Sequence, residues 1–151
     1  EDIAEEESQN TETKKTKGTL YFSDENAEYL NAEEREFDKV TAEALLNALI
    51  DGPKDDANRK TIPDETKLID VKIEDGIAYA NFSKELMEKH WGGSAGEIHT
   101  IYSIVNTLAL DPTLNIDAVQ ILIDGEVIES LAGHMDTTGP IEPDLELSKH
   151  K

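Results

Sequence analysis

The chain has no cysteine, which removes disulfides, thiolate nucleophiles and thiolate-ligated metals from consideration. It has no apolar run approaching the roughly 18–20 residues of a membrane helix, so direct membrane insertion is not expected. No charged-then-apolar leader opens it either. Basic residues are few: 14 Lys and Arg stand against 34 Asp and Glu, a net charge of -20. Such a surface repels phosphate backbones and anionic lipid, so no nucleic-acid partner is expected. Cationic partners and divalent cations are attracted to it, and it favours solubility.

Motifs for chemistry are missing too. His90, His99, His134 and His150 are scattered, with no HExxH spacing. Asp55-Asp56-Ala57-Asn58 is acidic but lacks the Gly and the twelfth-position Glu of a calcium loop. No GxSxG or SxxK surrounds a serine. Gly92-Gly93-Ser94-Ala95-Gly96 precedes a helix and could cradle an anion, but no P-loop Lys follows. Its Gly93-to-Gly96 spacing matches a nucleic-acid-binding GxxG loop, yet basic flanks are absent. The residues therefore predict no catalytic group, no cofactor, no metal ligand and no enzyme activity.

What is present is pattern. Between Gly92 and Asp111, Ile98, Ile101, Tyr102, Val105, Leu108 and Ala109 recur at helical spacing. Ser94 and Glu97 have the spacing of a capping box, and Asp111-Pro112 ends the segment. This predicts a central core helix. A shorter one is predicted over 40–50, with Ala42, Leu45, Leu46 and Leu49 on one face. Asp38 or Thr41 would cap it, and Asp51-Gly52-Pro53 would stop it.

Strands read just as directly. Thr19 to Ser23 is β-rich, and Glu28 to Asn31 with Arg35 to Phe37 reads as a second, irregular extended piece. Residues 67–82 alternate around Asp75-Gly76, a type I′ hairpin signature that sets Glu74 opposite Ile77, Ile73 opposite Ala78, Val71 opposite Ala80 and Ile69 opposite Phe82. Large residues thus meet small ones, leaving room for a helix over the two alanines. Ser83 is expected to cap a short turn over 84–89. Asp117 to Ile123, Asp124-Gly125 and Val127 to Leu131 read as a second hairpin. The fold predicted is α+β: a two-layer sandwich, its mostly antiparallel sheet of hairpins carrying two main helices on one face. Residues 1–18 read as a flexible tail, 19–135 as the domain, and 136–151 as a partly irregular extension.

One surface stands out. Trp91, beside His90, leads into the core helix, and Tyr79 falls on the polar sheet face next to Lys72. These four form a candidate contact surface for a protein, and a cleft near Trp91 and the start of the core helix is a candidate site for a cell-wall glycan or peptide.

An ordered set of segments resembles a known family. It comprises Leu20-Tyr21-Phe22-Ser23-Asp24, Tyr29-Leu30, Leu45-Leu46 through Gly52-Pro53 and Ile62-Pro63. It continues with Asp75-Gly76-Ile77-Ala78-Tyr79-Ala80-Asn81-Phe82-Ser83, Gly92-Gly93-Ser94 and Val105-Asn106-Thr107-Leu108. Val119-Gln120-Ile121-Leu122-Ile123-Asp124-Gly125 and Leu131-Ala132-Gly133-His134 close it. Together they are similar to the GerMN domain of sporulation and spore germination proteins, over about 19–134. That resemblance implies an extracytoplasmic domain, lipid-anchored in its full-length precursor, of spore-forming and related Gram-positive bacteria. It implies similarity to ring-building-motif domains, no known catalysis, and as partners an envelope protein, further copies of itself or peptidoglycan.

Overall fold

The computed structural model describes residues 16–26 and 28–148. The expected tail lies mostly outside them. Strand β1, Thr16–Ser23, starts three residues before its β-rich core and pairs antiparallel with β2, Leu30–Phe37. The expected irregular piece is thus a regular eight-residue strand. Gly18 sits inside β1 because a Cβ there would come within 2.9 Å of Leu45 and 3.0 Å of Phe37. Glycine lets a helix approach the strand closely.

That helix is α1, Ala42–Asp51. Thr41 caps it, its Oγ1 accepting the Ala44 amide at 3.0 Å, and Gly52 ends it at φ 102°. Leu45, Leu46 and Leu49 are fully buried.

A four-stranded sheet follows in the order β3 (Leu68–Glu74), β4 (Ile77–Phe82), β5 (Ala118–Ile123), β6 (Glu126–Val127). Both Asp-Gly turns have positive φ at both positions, 52° and 81° at Asp75-Gly76, 50° and 82° at Asp124-Gly125, as type I′ geometry requires. The first hairpin keeps its predicted register from Glu74–Ile77 to Val71–Ala80. Beyond it the register shifts at a bulge between Leu68 and Asp70, so Leu68, not Ile69, faces Phe82 and Ile69 is left 50 % exposed.

β4 and β5 run parallel, because the chain crosses between them through the short helix α2 (Glu85–Glu88) and the long helix α3 (Ser94–Ala109). Ser83 does not cap α2; its hydroxyl accepts the Lys67 amide and ties the base of the hairpin. The returning strand β6 is only two residues long, not the five expected, because the chain leaves β5 at Ile128 and pairs with it again only through Ile141 and Val119.

α3 is the centre of the fold. Ile101, Ile104, Val105 and Leu108 are fully buried, and the helix packs chiefly on β1, α1 and β5 rather than on the Ala78–Ala80 strand. Burial extends to its polar residues, Thr100, Ser103, Asn106 and Thr107. A helix covered nearly all round has no wholly polar face. Each large side chain it buries stabilises the fold by roughly 1.5–3 kcal/mol. Its buried polar groups are bonded to the rest of the molecule. Ser103 meets Thr61 at 2.8 Å, and Thr107 Oγ1 accepts the Tyr21 amide. The Asn106 amide clamps Asp144 from both sides at 3.0 Å. The architecture is an α+β sandwich of mixed sheets and two main helices.

Candidate functional site

The head of α3 is where polar side chains gather. Gly92 and Gly93, at φ 83° and 86°, swing the chain into the helix. Gly93 is the N-cap, and no side chain caps the helix. The predicted capping box is absent: Ser94 is already helical, and Glu97 points away from the helix end. Its side chain is wholly buried and serves as a socket for the loop after β6. Oε2 accepts the amides of Leu131 (3.1 Å) and Ala132 (2.9 Å); Oε1 accepts the amide of His134 (2.8 Å) and lies 3.1 Å from its Nδ1. Burial alone would raise the Glu97 pKa. The amides of Ala132, His134 and Met135 and the His134 ring outweigh burial and hold it below the ordinary range. The sequence held a signal for this. Glu97 stands in helical line with the core residues Ile101, Ile104 and Leu108, where a carboxylate must find partners.

Two more histidines flank the same turn. His90 Nδ1 accepts the Gly92 amide at 2.9 Å, and its Nε2 lies 2.8 Å from Thr100 Oγ1. Thr100 spends its own hydrogen on the carbonyls of Thr61 (2.6 Å) and Gly96 (2.9 Å). Nε2 must therefore donate, and the ring is the neutral Nε2–H tautomer. Burial lowers the His90 pKa, against an opposing pull from Glu97 and the Gly96 backbone.

His99 is 5 % exposed and 2.9 Å from the Ser23 hydroxyl. That hydroxyl donates to the Asp24 carbonyl at 3.0 Å, so His99 Nδ1 carries the proton. Burial lowers its pKa too, against Asp24 and the Glu28 backbone. Ser, His and Asp thus stand together without the order of a nucleophilic triad. The Asp24 carboxylate accepts the amides of Asn26, Glu28 and Tyr29 and closes a turn.

Trp91 crosses this region. One ring face stacks on His90, centroids 4.7 Å apart and planes 23° from parallel. Its Nε1 lies over Gly96, where a Cβ would stand 2.7 Å away. The side chain is 54 % exposed. Two clefts share Trp91 and Lys60. One, of about 160 Å³, reaches Ser23, Asp24, Arg59 and His99; the other, of about 320 Å³, runs along Ile62, Pro63, Asp64, Glu65 and Lys89. Lys60 is tied to Asp64 at 3.0 Å and to the Ile50 carbonyl at 2.6 Å.

The four predicted surface residues fall into two pairs. His90 and Trp91 touch at the head of α3. Lys72 and Tyr79 are cross-strand partners on β3 and β4, Lys72 exposed and Tyr79 half-buried. Among the described residues, no group of three or more His, Cys, Asp or Glu side chains could hold a metal ion. No helix among them is long and apolar enough to cross a membrane.

Residues 19–129 match the Germane family model, sporulation and spore germination. The chain belongs to that family. A candidate lipoprotein from Clostridium perfringens is 28% identical at a TM-score of 0.60, covering 91% of this chain and 95% of its own. The first GerMN domain of the sporulation protein GerM from Bacillus subtilis is 27% identical at a TM-score of 0.66, over 90% of this chain and 99% of that one. The tandem GerMN domains of the same protein share the fold, at 22% identity and a TM-score of 0.69, over 90% of this chain and 47% of that one. The chain spans about half the length of that tandem protein. No curated protein matches it. The family is named for sporulation and germination, not for a reaction.

Proposed function

We propose that this GerMN-type domain is a non-catalytic interaction module. It is carried outside the cytoplasm by a lipid-anchored protein and joins an envelope protein partner, or its own copies, in sporulation or germination. Family membership and the similarity to a candidate lipoprotein support the setting. The observation that carries the reading is Trp91. A large aromatic ring, braced on one side by His90 and open beside two clefts, is the kind of side chain that anchors protein interfaces. The polar groups around it are engaged in holding loops, which suits a rigid docking platform better than a reaction centre.

A photo-crosslinking residue at exposed Ala95, which lines the first cleft beside Trp91, with one at exposed Leu145 as control, tests this in envelope fractions of a sporulating Gram-positive host. A partner band specific to position 95 is expected. The same bands at both positions, or none, overturn it. A second reading, binding of a cell-wall glycan or peptide, is favoured by the open indole face, on which a sugar can stack. Trp91 is the single tryptophan, so its fluorescence reports muropeptide binding directly. No change at millimolar ligand removes this alternative.

A further inference from the structure

We propose that the outer edge of β3 accepts an extended segment of a basic partner protein as an added strand. The site is separate from the Trp91 surface and does not depend on it. β3 ends the four-stranded sheet, and among the described residues no strand lies on its outer side. The other end of that sheet offers only the two-residue β6 with exposed Val127, too short an edge to pair a strand, and β5 behind it is covered. β6 covers the end of β5, and Ile141 covers its beginning through two backbone bonds to Val119, of 2.9 and 2.8 Å. β1 is covered as well, by the Thr107 hydroxyl on its Tyr21 amide and by the Ser23–Arg59 bridge.

The edge of β3 also carries apolar surface. Five large hydrophobic side chains are exposed among the described residues, and two of them, Ile69 at 50 % and Ile73 at 45 %, are on this one strand. β2, the other long strand with an open side, carries none. An uncovered edge with exposed isoleucines is a template for another chain.

Charge selects the occupant. Asp70, Lys72 and Glu74 alternate with Val71 and Ile73 and are exposed. Residues two apart share a strand face. A segment lying alongside would place basic residues against Asp70 and Glu74, an acidic one against Lys72, and apolar ones over Val71 and Ile73. The net charge of -20 draws a basic segment in and opposes the approach of a second copy. The bulge between Leu68 and Asp70 breaks regular pairing there, so the docked stretch is confined to 70–74.

The test uses the intact chain and a seven-residue peptide, Val-Lys-Val-Glu-Val-Lys-Val, followed by backbone amide NMR. Shifts confined to 69–74 are expected, with at least tenfold weaker binding of the charge-reversed peptide Val-Glu-Val-Lys-Val-Glu-Val. Ile73→Lys should weaken binding at least tenfold, and Trp91→Ala should leave it unchanged. Lys72→Glu should shift preference to a peptide with Lys at its centre. Equal binding of both peptides, no binding, shifts centred elsewhere, or a concentration-dependent dimer joined through β3 overturns the proposal. Loss of binding in Trp91→Ala would also overturn it, and would leave the Trp91 reading standing.

Discussion

Two carboxylates, Glu33 and Glu97, hold loops in the same way at opposite levels of burial security. Glu33 sits on β2 with its side chain 9 % exposed. It accepts Arg35 Nε at 2.6 Å, the amides of Lys54 and Asp55, and Asn58 Nδ2. Burial alone would raise its pKa, and those donors lower it. Its cation is an arginine, charged at every pH of interest. Glu97 has no exposure at all, and backbone amides do most of its solvation, joined by a half-exposed histidine. The difference shows that a buried carboxylate needs donors rather than a fixed opposite charge. A loop folded into a ring of amides supplies them. It also shows the risk: Glu33 can fall back on nearby water, and Glu97 cannot.

The comparison breaks first at Glu97. Glu97→Ala should cost roughly 3–5 kcal/mol, because it strands several buried amides and frees the 131–135 loop. Chemical denaturation would measure the cost, and hydrogen exchange at Ala132 and His134 would rise selectively. A loss no greater than that of Glu33→Ala would mean that the socket is not closed to water. Glu33→Ala should cost less, about 1–3 kcal/mol, since Arg35 keeps its 2.8 Å bond to the Gly52 carbonyl.

Acid should unfold the protein in two stages. His90 and His99 have folded pKa values below the 6.5 they regain on unfolding. The unfolded chain binds more protons just below that value, so stability falls as pH drops through about 6.5 and levels off below the folded values. Glu33 and Glu97 are lowered from 4.5 and Asp24 from 3.8. Their contribution is complete above those values and is lost as pH falls through the folded ones. Thermal melts between pH 8 and 3 should show both declines. His90→Gln with His99→Gln should remove the upper one alone.

The smallest effect belongs to Gly96→Ala. The added methyl would meet the Trp91 indole, which is exposed and able to swing away. Stability should change by less than about 1 kcal/mol, since alanine favours the helix, while Trp91 fluorescence shifts to the red. An unshifted spectrum would show that His90 alone holds the ring.

Much of the fold was legible in the chain because it is written in local chemistry. Asp75-Gly76 and Asp124-Gly125 dictate their turns, since few other pairs tolerate two positive φ angles. Thr41 and Gly52 bound α1 by capping, a short-range effect. Alternation marked buried Ala78 and Ala80 in β4 and the Val119–Ile121–Ile123 face of β5, but not the burial of Gln120 on the other face of β5. Local reasoning failed where a side chain had two uses. Ser94 and Glu97 have capping-box spacing, but Glu97 gains more from a loop thirty-four residues away. Ser83 looked like a cap and became a clasp for Lys67. Ile69 was placed by turn register, and a bulge displaced it. Of the site, Trp91 and His90 were visible as unusual neighbours before a glycine pair. Nothing local announced that His99, Thr100 and Asp24 would join them.

Sequence alone decided where the two main helices, the first hairpin and the two Asp-Gly turns fall, because backbone preference and apolar period act within a few residues of each other. Only the tertiary structure decided that β4 and β5 run parallel, that α3 is covered on nearly every side, and that Glu97 and the histidines meet at its head. Those outcomes depend on burying the most apolar surface while nearly every enclosed polar side chain, Thr66 Oγ1 excepted, still finds a partner. That balance is struck between segments far apart in the chain and is invisible to any one of them.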